Sequence, residues 1–356
     1  MAYSTISKPS LHFNTVTYTG NAASTRAITG VGFQPDLLWI KNRDDGTRYH
    51  VLADAVRGAN GSGAMNLLYP NDNQAENTSD TTNIKTLDSD GFTVGSDNNV
   101  NKNSAGQVAW NWKAGTTGSG TTTGSGTAKA YSYSVNTTAG FSIINYVGNG
   151  TIGQQIPHHL GVTPQLIIQK NRDRTSNFLT YHHKNFASNG NCLRLNTNDA
   201  TFTDTGTYNS APTSTHVVIG NDAGMNTNNE NHIMYCFAEK IGYSKIGEYQ
   251  GNGSSEGPFV FTGFKPSFIF LKNTSSSNSW EIRDNKRQPF ADGNGKRLFP
   301  DSSTSESSNT EAIEKLSTGF KIYSTGSGHN TNNNDYIYLA IGQSLVGSNN
   351  IPCTAG

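Results

Sequence analysis

Charge of either sign is scarce and balanced: Lys plus Arg and Asp plus Glu number 26 each in 356 residues, and charged residues make up 15% of the chain. A net charge of zero leaves no basic field to attract nucleic acid or anionic lipid, so neither is expected as a partner. No segment is apolar enough to span a bilayer, and no membrane insertion is expected. The opening, MAYSTISKPSLHF, lacks the basic residues and apolar stretch of a secretory signal, so no signal peptide is expected. Cysteine is limited to Cys192, Cys236 and Cys353, an odd set without Cys-x-x-Cys spacing. That excludes a disulfide framework and a zinc knuckle, and leaves two buried thiols and one near the terminus as the expectation. Runs of Ala, Leu, Glu and Lys at helical spacing are missing too. What abounds is Gly (38 residues), Asn, Ser and Thr, the composition of turn-rich strands.

Self-comparison shows a threefold internal repeat. Tyr18-Thr19-Gly20-Asn21 recurs as Tyr146-Val147-Gly148-Asn149 and as Tyr249-Gln250-Gly251-Asn252. Downstream of each lies a Pro that opens an apolar run ending in Lys-Asn: Pro35 to Lys41-Asn42, Pro164 to Lys170-Asn171 and Pro266 to Lys272-Asn273. The Tyr-to-Pro spacing is 17, 18 and 17, and Pro-to-Lys is 6 in every copy. Such a run reads as the central strand of a module, buried on both faces and ending at a polar rim. A third, alternating block recurs at Gly91-Phe92-Thr93-Val94, Val217-Val218-Ile219-Gly220 and Gly319-Phe320-Lys321-Ile322. An Asn-rich loop followed by a last strand closes each copy, at Val108-Ala109-Trp110-Asn111-Trp112, Ile233-Met234-Tyr235-Cys236-Phe237 and Tyr336-Ile337-Tyr338-Leu339-Ala340.

The fold class these blocks predict is all-β, as tandem antiparallel β-sandwich modules of jelly-roll-like type. Module 1 spans 1–114, module 2 131–240 and module 3 241–346, with a tail at 347–356. Residues 115–130, Gly-Thr-Thr-Gly-Ser-Gly and more in that style, read as a flexible linker on which module 1 swings, while modules 2 and 3 are rigidly coupled. Residues 311–316 hint at a helical turn. The stretches 199–215 and 301–309 vary most between copies, and diversified binding residues are expected there and in the Asn-rich loops.

The phrase Ile28-Thr29-Gly30-Val31-Gly32-Phe33-Gln34-Pro35-Asp36, with Trp39-Ile40-Lys41 and Arg43 after it, Asp54-Ala55-Val56-Arg57-Gly58, and Val108-Ala109-Trp110-Asn111-Trp112-Lys113-Ala114-Gly115 resemble modules of tail-fibre-like proteins of marine tailed phages, cyanophages among them. In modules 2 and 3 Arg57-Gly58 has no clear counterpart, and Trp110-Asn111-Trp112 becomes Tyr235-Cys236-Phe237 and Tyr338-Leu339-Ala340. The resemblance implies a virion component that is a homo-oligomer, often a trimer, joined to other tail or virion proteins and made in the host cytoplasm. Its implied role is host attachment through non-catalytic binding of a cell-surface glycan or protein. A tail adaptor or capsid decoration protein is the structural alternative, and a secreted carbohydrate-binding protein or glycosidase the other.

Candidate sites are few. Trp280, Tyr69, Tyr181 and Tyr208 lie in variable stretches, where an exposed ring can stack on a sugar, and are the expected receptor-binding residues. His158-His159 and His182-His183 could suggest a metal, but neighbours on a strand point to opposite faces, and a solvated loop is expected instead. Residues 97–103 place oxygens at alternate positions as calcium loops do, without the turn Gly and closing Glu, so hydrogen-bonded turns are expected. The carboxylate pairs Asp44/Asp45 and Asp88/Asp90 read as turn residues rather than a glycosidase pair. No nucleophile elbow, zinc-protease helix or phosphate loop occurs, so no catalytic residue, metal or cofactor is assigned and no enzyme is expected.

Overall fold

Each module builds a four-stranded antiparallel sheet from the same parts in the computed structural model, which describes residues 4–186, 190–288, 295–309 and 312–346. In module 1 the order is first strand Phe13–Thr19, last strand Gly106–Trp112, central strand Leu37–Asn42 and flanking strand His50–Asp54. Module 3 repeats it with Ser244–Gln250, Asp335–Gly342, Pro266–Asn273 and Glu281–Asp284. Module 2 has Phe141–Val147, Asn231–Phe237, Leu166–Asn171 and Leu179–His182 at the centre of an eight-stranded sheet. A three-stranded outer sheet covers one face in each module, for example Arg26–Thr29, Gly91–Val94 and Ile84–Asp88 in module 1. The protein is therefore all-β, built of antiparallel sandwiches.

Strand alternation explains why the central strands are buried on both faces. In Leu37–Asn42, Leu38 and Ile40 face the outer sheet of module 1, whereas Leu37 and Trp39 join a second core. Leu166 and Ile168 from module 2, and Phe268 and Phe270 from module 3, enter that same second core. Three inner sheets thus pack around one shared centre. Trp112 meets Phe268 at 5.7 Å and Phe237 at 6.3 Å between ring centroids, so all three modules touch at one residue. Pulling module 1 away would expose Phe13, Trp39, Trp110 and Trp112, at about 1.5–3 kcal/mol each. That cost excludes a swinging module.

The 115–130 segment is accordingly not a linker. Thr116–Thr121 pairs with Ala130–Asn136 over six residues, and Ala130–Asn136 pairs in turn with the first strand of module 2. Thr123–Gly124 adds a strand to the outer sheet on Gln154–Pro157. Module 2 thus begins near residue 116, and the segment closes one side of its sandwich. Glycine abundance misleads here because Gly118 and Gly120 leave room for Tyr133 and Tyr131, whose hydroxyls would lie 2.6 and 2.8 Å from a Cβ.

The Tyr-x-Gly-Asn motif docks each first strand onto the loop before the last strand. The Tyr18, Tyr146 and Tyr249 hydroxyls donate to the carbonyls of Val100, Met225 and His329 at 2.6, 2.8 and 2.8 Å. The motif Asn N–H groups donate to Asn101, Asn226 and Asn330 side chains at 2.9, 2.8 and 2.8 Å. Any Cβ on Gly20, Gly148 or Gly251 would fall 2.0–2.3 Å from a loop carbonyl oxygen, which explains the glycine. Two sequence expectations change. The described part of 311–316, Ala312–Leu316, is a strand paired with Gly319–Tyr323 and not a helical turn. In module 3 the residues matching Trp110-Asn111-Trp112 are Leu339-Ala340-Ile341, one place later than spacing suggests. Leu339 and Ile341 face the shared core and Tyr338 the private one. A slip of one residue exchanges the faces.

The framework lysines staple the ring. Lys41 Nζ donates to Ser303 O in module 3 at 2.9 Å, Lys170 to Asn73 O in module 1 at 3.3 Å, and Lys272 to Asn198 O in module 2 at 3.1 Å. All three are buried, and burial pushes each ammonium down to about 8. Beside them, backbone bonds repeat cyclically: Glu76 N–H to Arg172 O, Thr201 N–H to Thr274 O and Glu306 N–H to Arg43 O, at 2.8, 3.0 and 2.6 Å. Two junctions add buried ions. Arg57 binds Asp54 and Glu76, and Tyr235 of module 2 donates to Asp54 at 2.7 Å. Arg287 binds Asp284 and Glu306, and Trp110 of module 1 donates to Asp284 at 3.0 Å. Arg57 therefore does have a counterpart, Arg287. Module 2 has Asn185 there and His182 in place of the aspartate.

Candidate functional site

None of the four aromatic residues expected to meet a receptor offers a free face. Trp280, Tyr69, Tyr181 and Tyr208 are between 1 and 6% exposed. Trp280 stacks on Phe270 at 4.8 Å and donates its Nε1–H to Arg194 O at 2.8 Å, so it belongs to the shared core. Tyr181 packs on Tyr208 at 5.4 Å inside module 2, and Tyr69 lies beneath Tyr49 at 5.2 Å. Variable stretches supply core residues as well as loops, because each module fills its interior differently.

The remaining polar clusters are held by local bonds. The expected solvated loop does not hold for His158 and His182: both are buried, His182 closes the strand Leu179–His182, and burial lowers them to about 4 and about 3. His159 stacks on Tyr133 at 3.7 Å, and His183 Nε2 lies 3.1 Å from Ile246 O. Among the described residues no group of three or more His, Cys, Asp or Glu is arranged to hold a metal. Asp97 caps a short helix, Asn98–Asn101, by accepting from Asn99 N–H. Asp44 accepts from Gly106 N–H, Asp45 binds Lys102 and Arg48, Asp88 accepts from Thr86 and Thr93, and Asp90 from Gly30 and Gly32. Cys192 and Cys236 are buried free thiols, and Cys353 lies outside the described residues, as does the 347–356 tail.

The variable stretch 199–215 contributes to a recess, with residues that sequence reasoning did not single out. Phe202 and Asp204 join Ser176, Asn177, Leu179, Arg194, Asp222 and Gly224 around a recess of ≈ 170 Å³ in module 2. Phe202 sits on a two-residue strand, Phe202–Thr203, paired with Asn191–Arg194, which brings its ring under the Arg194 guanidinium at 4.0 Å. Asp204 accepts from Gly206 N–H at 2.8 Å. Asp222 caps the Ala223–Asn226 turn by accepting from Gly224 N–H at 2.7 Å. Burial raises the Asp222 carboxyl, a shift opposed by the Gly224 bond and reinforced by the Asp204 charge. Asn177 accepts from Asn196 at 2.9 Å, which fixes its amide.

The other modules show why this recess is open. His50, Phe178 and Trp280 each donate a backbone N–H to an Asn or Asp side chain, from Asn71, Asn196 and Asp301, at 2.8, 2.9 and 2.9 Å. By that register Asn177 corresponds to Tyr49 and Ser279, and Arg194 to Tyr69 and Phe299. In module 1 Tyr49 lies on Tyr69, its N–H donates to Asn99 at 2.8 Å, and Tyr69 accepts from Asn77 at 3.0 Å. The aromatic pair fills the place. Module 2 has Asn177 for Tyr49, Arg194 for Tyr69 and Gly224 for Asn99, and the removed side chains leave the space lined by carboxylates, an amide, a hydroxyl and one ring. In module 3 Arg297 lies over Phe299 at 5.1 Å and binds the buried Glu281 at 2.8 Å. A comparison of the three copies at this corner would have marked the site in sequence.

No helix among the described residues is long and apolar enough to cross a membrane. No curated protein matches the chain. A family described as a domain of unknown function, DUF7483, matches residues 8–344, from the N-terminal segment through all three modules, and the chain belongs to that family.

Proposed function

We propose that the protein is a non-catalytic glycan-binding component of a phage virion, acting in host attachment, with the module 2 recess as its sugar site. The observation that carries the reading is the lining of that recess. The recess is mainly polar, and half-buried Phe202, with Arg194 over its ring, is the apolar side chain at its wall that could meet the C–H edge of a pyranose. Around it Asp204, Asp222, Asn177, Ser176 and Arg194 supply acceptors and donors for its hydroxyls. At ≈ 170 Å³ the recess is below the roughly 300–1,000 Å³ of drug-sized pockets, so a single ring at the end of a glycan is the unit recognised. The virion role rests on the resemblance to phage tail-fibre modules, which also suggests homo-oligomers. With the corresponding place plugged in module 1, avidity comes from copies of the chain rather than from the repeats within it.

The test is a glycan array with the purified protein, followed by calorimetry on any glycan retained. Phe202→Ala and Asp204→Ala are expected to weaken binding at least tenfold with the melting curve kept. An array with no retained glycan, or retention indifferent to both substitutions, would sink the sugar reading. Turnover of a retained glycan would overturn the non-catalytic one. Excess protein is further expected to block adsorption of the phage to its host, and no competition at saturation counts against attachment.

A further inference from the structure

The outer sheet of module 3 ends in the strand Phe259–Phe261, which pairs with Gly319–Tyr323 on one side. The bonds across that pair run from its flanks, Ile322 N–H to Pro258 O at 3.2 Å and Thr262 N–H to Thr318 O at 3.0 Å. Backbone direction alternates along a strand, so Phe259 and Phe261 aim their N–H and C=O groups at the other side. Among the described residues no strand lies there. The two side chains stand on the solvent face, 46 and 65% exposed, while Val260 between them is buried in the module core. Tyr323 on the neighbouring strand is exposed as well.

The equivalent edges of the other modules differ from this one. In module 2, Gln154–Pro157 carries the strand Thr123–Gly124 on this edge, in the register Gln154 to Gly124 and Gln155 to Thr123. In module 1, Arg26–Thr29 turns Ala27 and Thr29 outward, and Arg26 reaches over to Thr19 O. Exposed edges are usually blunted by charge, proline or a covering segment, because an open one is a template for another strand. Module 2 therefore accepts a strand here, and module 3 presents the same edge with no strand on it among the described residues and with two exposed aromatic rings.

We infer that the edge is a two-fold interface between two copies of this chain. Phe259-Val260-Phe261 reads the same in both directions, so an antiparallel pair centred on Val260 sets Phe259 opposite Phe261 of the second copy, and the reverse. Each such pair can exchange both of its N–H···O bonds, which joins two three-stranded sheets into one of six. Side chains directly opposite on one face interact, and here all four rings fall on the same face as two aromatic cross-strand pairs. The contact is isologous and closes after two copies, as a soluble assembly requires.

Sedimentation velocity of the full chain over roughly a hundredfold concentration range tests this. A monomer–dimer equilibrium is expected, together with hydrogen-exchange protection of the Phe259 and Phe261 amides that rises with concentration. Phe259→Lys with Phe261→Lys sets four ammonium groups along the seam and should weaken dimerisation at least a hundredfold. Both side chains are solvent-facing, so the melting temperature of the dilute protein should hold. Phe261→Pro removes only an outward N–H and should weaken the dimer as well. A monomer at every concentration, a trimer as the sole assembly, or a dimer indifferent to the double substitution overturns the inference. Glycan binding in module 2 is untouched by any of these results.

Discussion

Modules 1 and 2 share a scaffold and differ at one corner, and the difference separates what the repeat is for from what the copies are for. Both keep the Tyr-x-Gly-Asn docking, the framework lysine and an aspartate capping a single helical turn. These residues serve closure of the ring. At the corner beside that turn, module 1 sets two tyrosines in contact, and module 2 leaves a space lined by Arg194, Phe202, Asp204 and Asp222. In module 1 Tyr49, itself 38% exposed, covers Tyr69 and closes the corner, whereas in module 2 the corner stays open.

Exchanging the corner gives the largest expected effect. Asn177→Tyr with Gly224→Asn should rebuild the module 1 plug in module 2 and reduce glycan binding to the detection limit, at least a hundredfold, in calorimetry. Gly224 has an ordinary negative backbone angle, unlike the many positive-φ glycines of this chain, so a side chain there carries no backbone strain. The reciprocal change, Tyr49→Asn with Asn99→Gly, should open module 1 at a cost of about 1 kcal/mol, because Tyr49 is already 38% exposed and chiefly its contact with Tyr69 is lost. Binding retained by the plugged protein would remove the recess from consideration.

The module junctions supply the next contrast. At the junction of modules 1 and 2 the Arg57–Asp54–Glu76 group is buried, and at that of modules 3 and 1 Arg287–Asp284–Glu306 is. Removing one partner of a buried pair strands the other, so Arg57→Met and Arg287→Met should each cost about 3–5 kcal/mol in urea denaturation. At the junction of modules 2 and 3 the matching residue is Asn185, whose Oδ1 accepts from Thr201 Oγ1 at 2.5 Å. Asn185→Ala should cost only about 1 kcal/mol. Equal losses at all three places would mean that the ring does not distribute its load as the ion pairs suggest.

Much of this was legible in the sequence, and the rest was hidden for identifiable reasons. The strands and their threefold spacing were readable because each Pro-to-Lys block joins an unbroken apolar run to a polar rim at fixed spacing. Closure into a ring was not, because a strand buried on both faces reads the same whether its second face meets its own module or two others. The Asp-x-x-Arg pair at 54 and 57 recurs at 284 and 287 without the glycine that follows in module 1, and the eye held by Gly58 passes over it. The candidate aromatics failed as sites through their size: Trp280 and Tyr208 are large enough to fill a core alone, and variable stretches are where this fold adjusts its filling. Phe202 and Asp204 fell inside the stretch expected to carry binding, but nothing local to them distinguishes a recess from a turn. Only the loss of Tyr49 and Asn99 at matching positions does.

A small expected effect concerns an element that all three modules share. Lys41, Lys170 and Lys272 release their proton near pH 8 when folded, because burial disfavours the ammonium, and near 10.5 when unfolded. Between those values the unfolded chain holds more protons, so raising the pH favours the folded state, by up to about 1.4 kcal/mol per pH unit for each lysine. Lys170→Met removes one titrating group and also leaves the carbonyls of Asn171 and Asn73 without their donor. The stability of the native protein relative to Lys170→Met should therefore widen by about 1–2 kcal/mol from pH 8 to pH 9.5 in urea titrations. Lys41→Met and Lys272→Met should follow the same slope if the ring is threefold in its energetics as well as in its backbone. A difference that stays flat with pH would show that the ammonium groups keep their charge in the folded protein, held by the carbonyls of two modules at once.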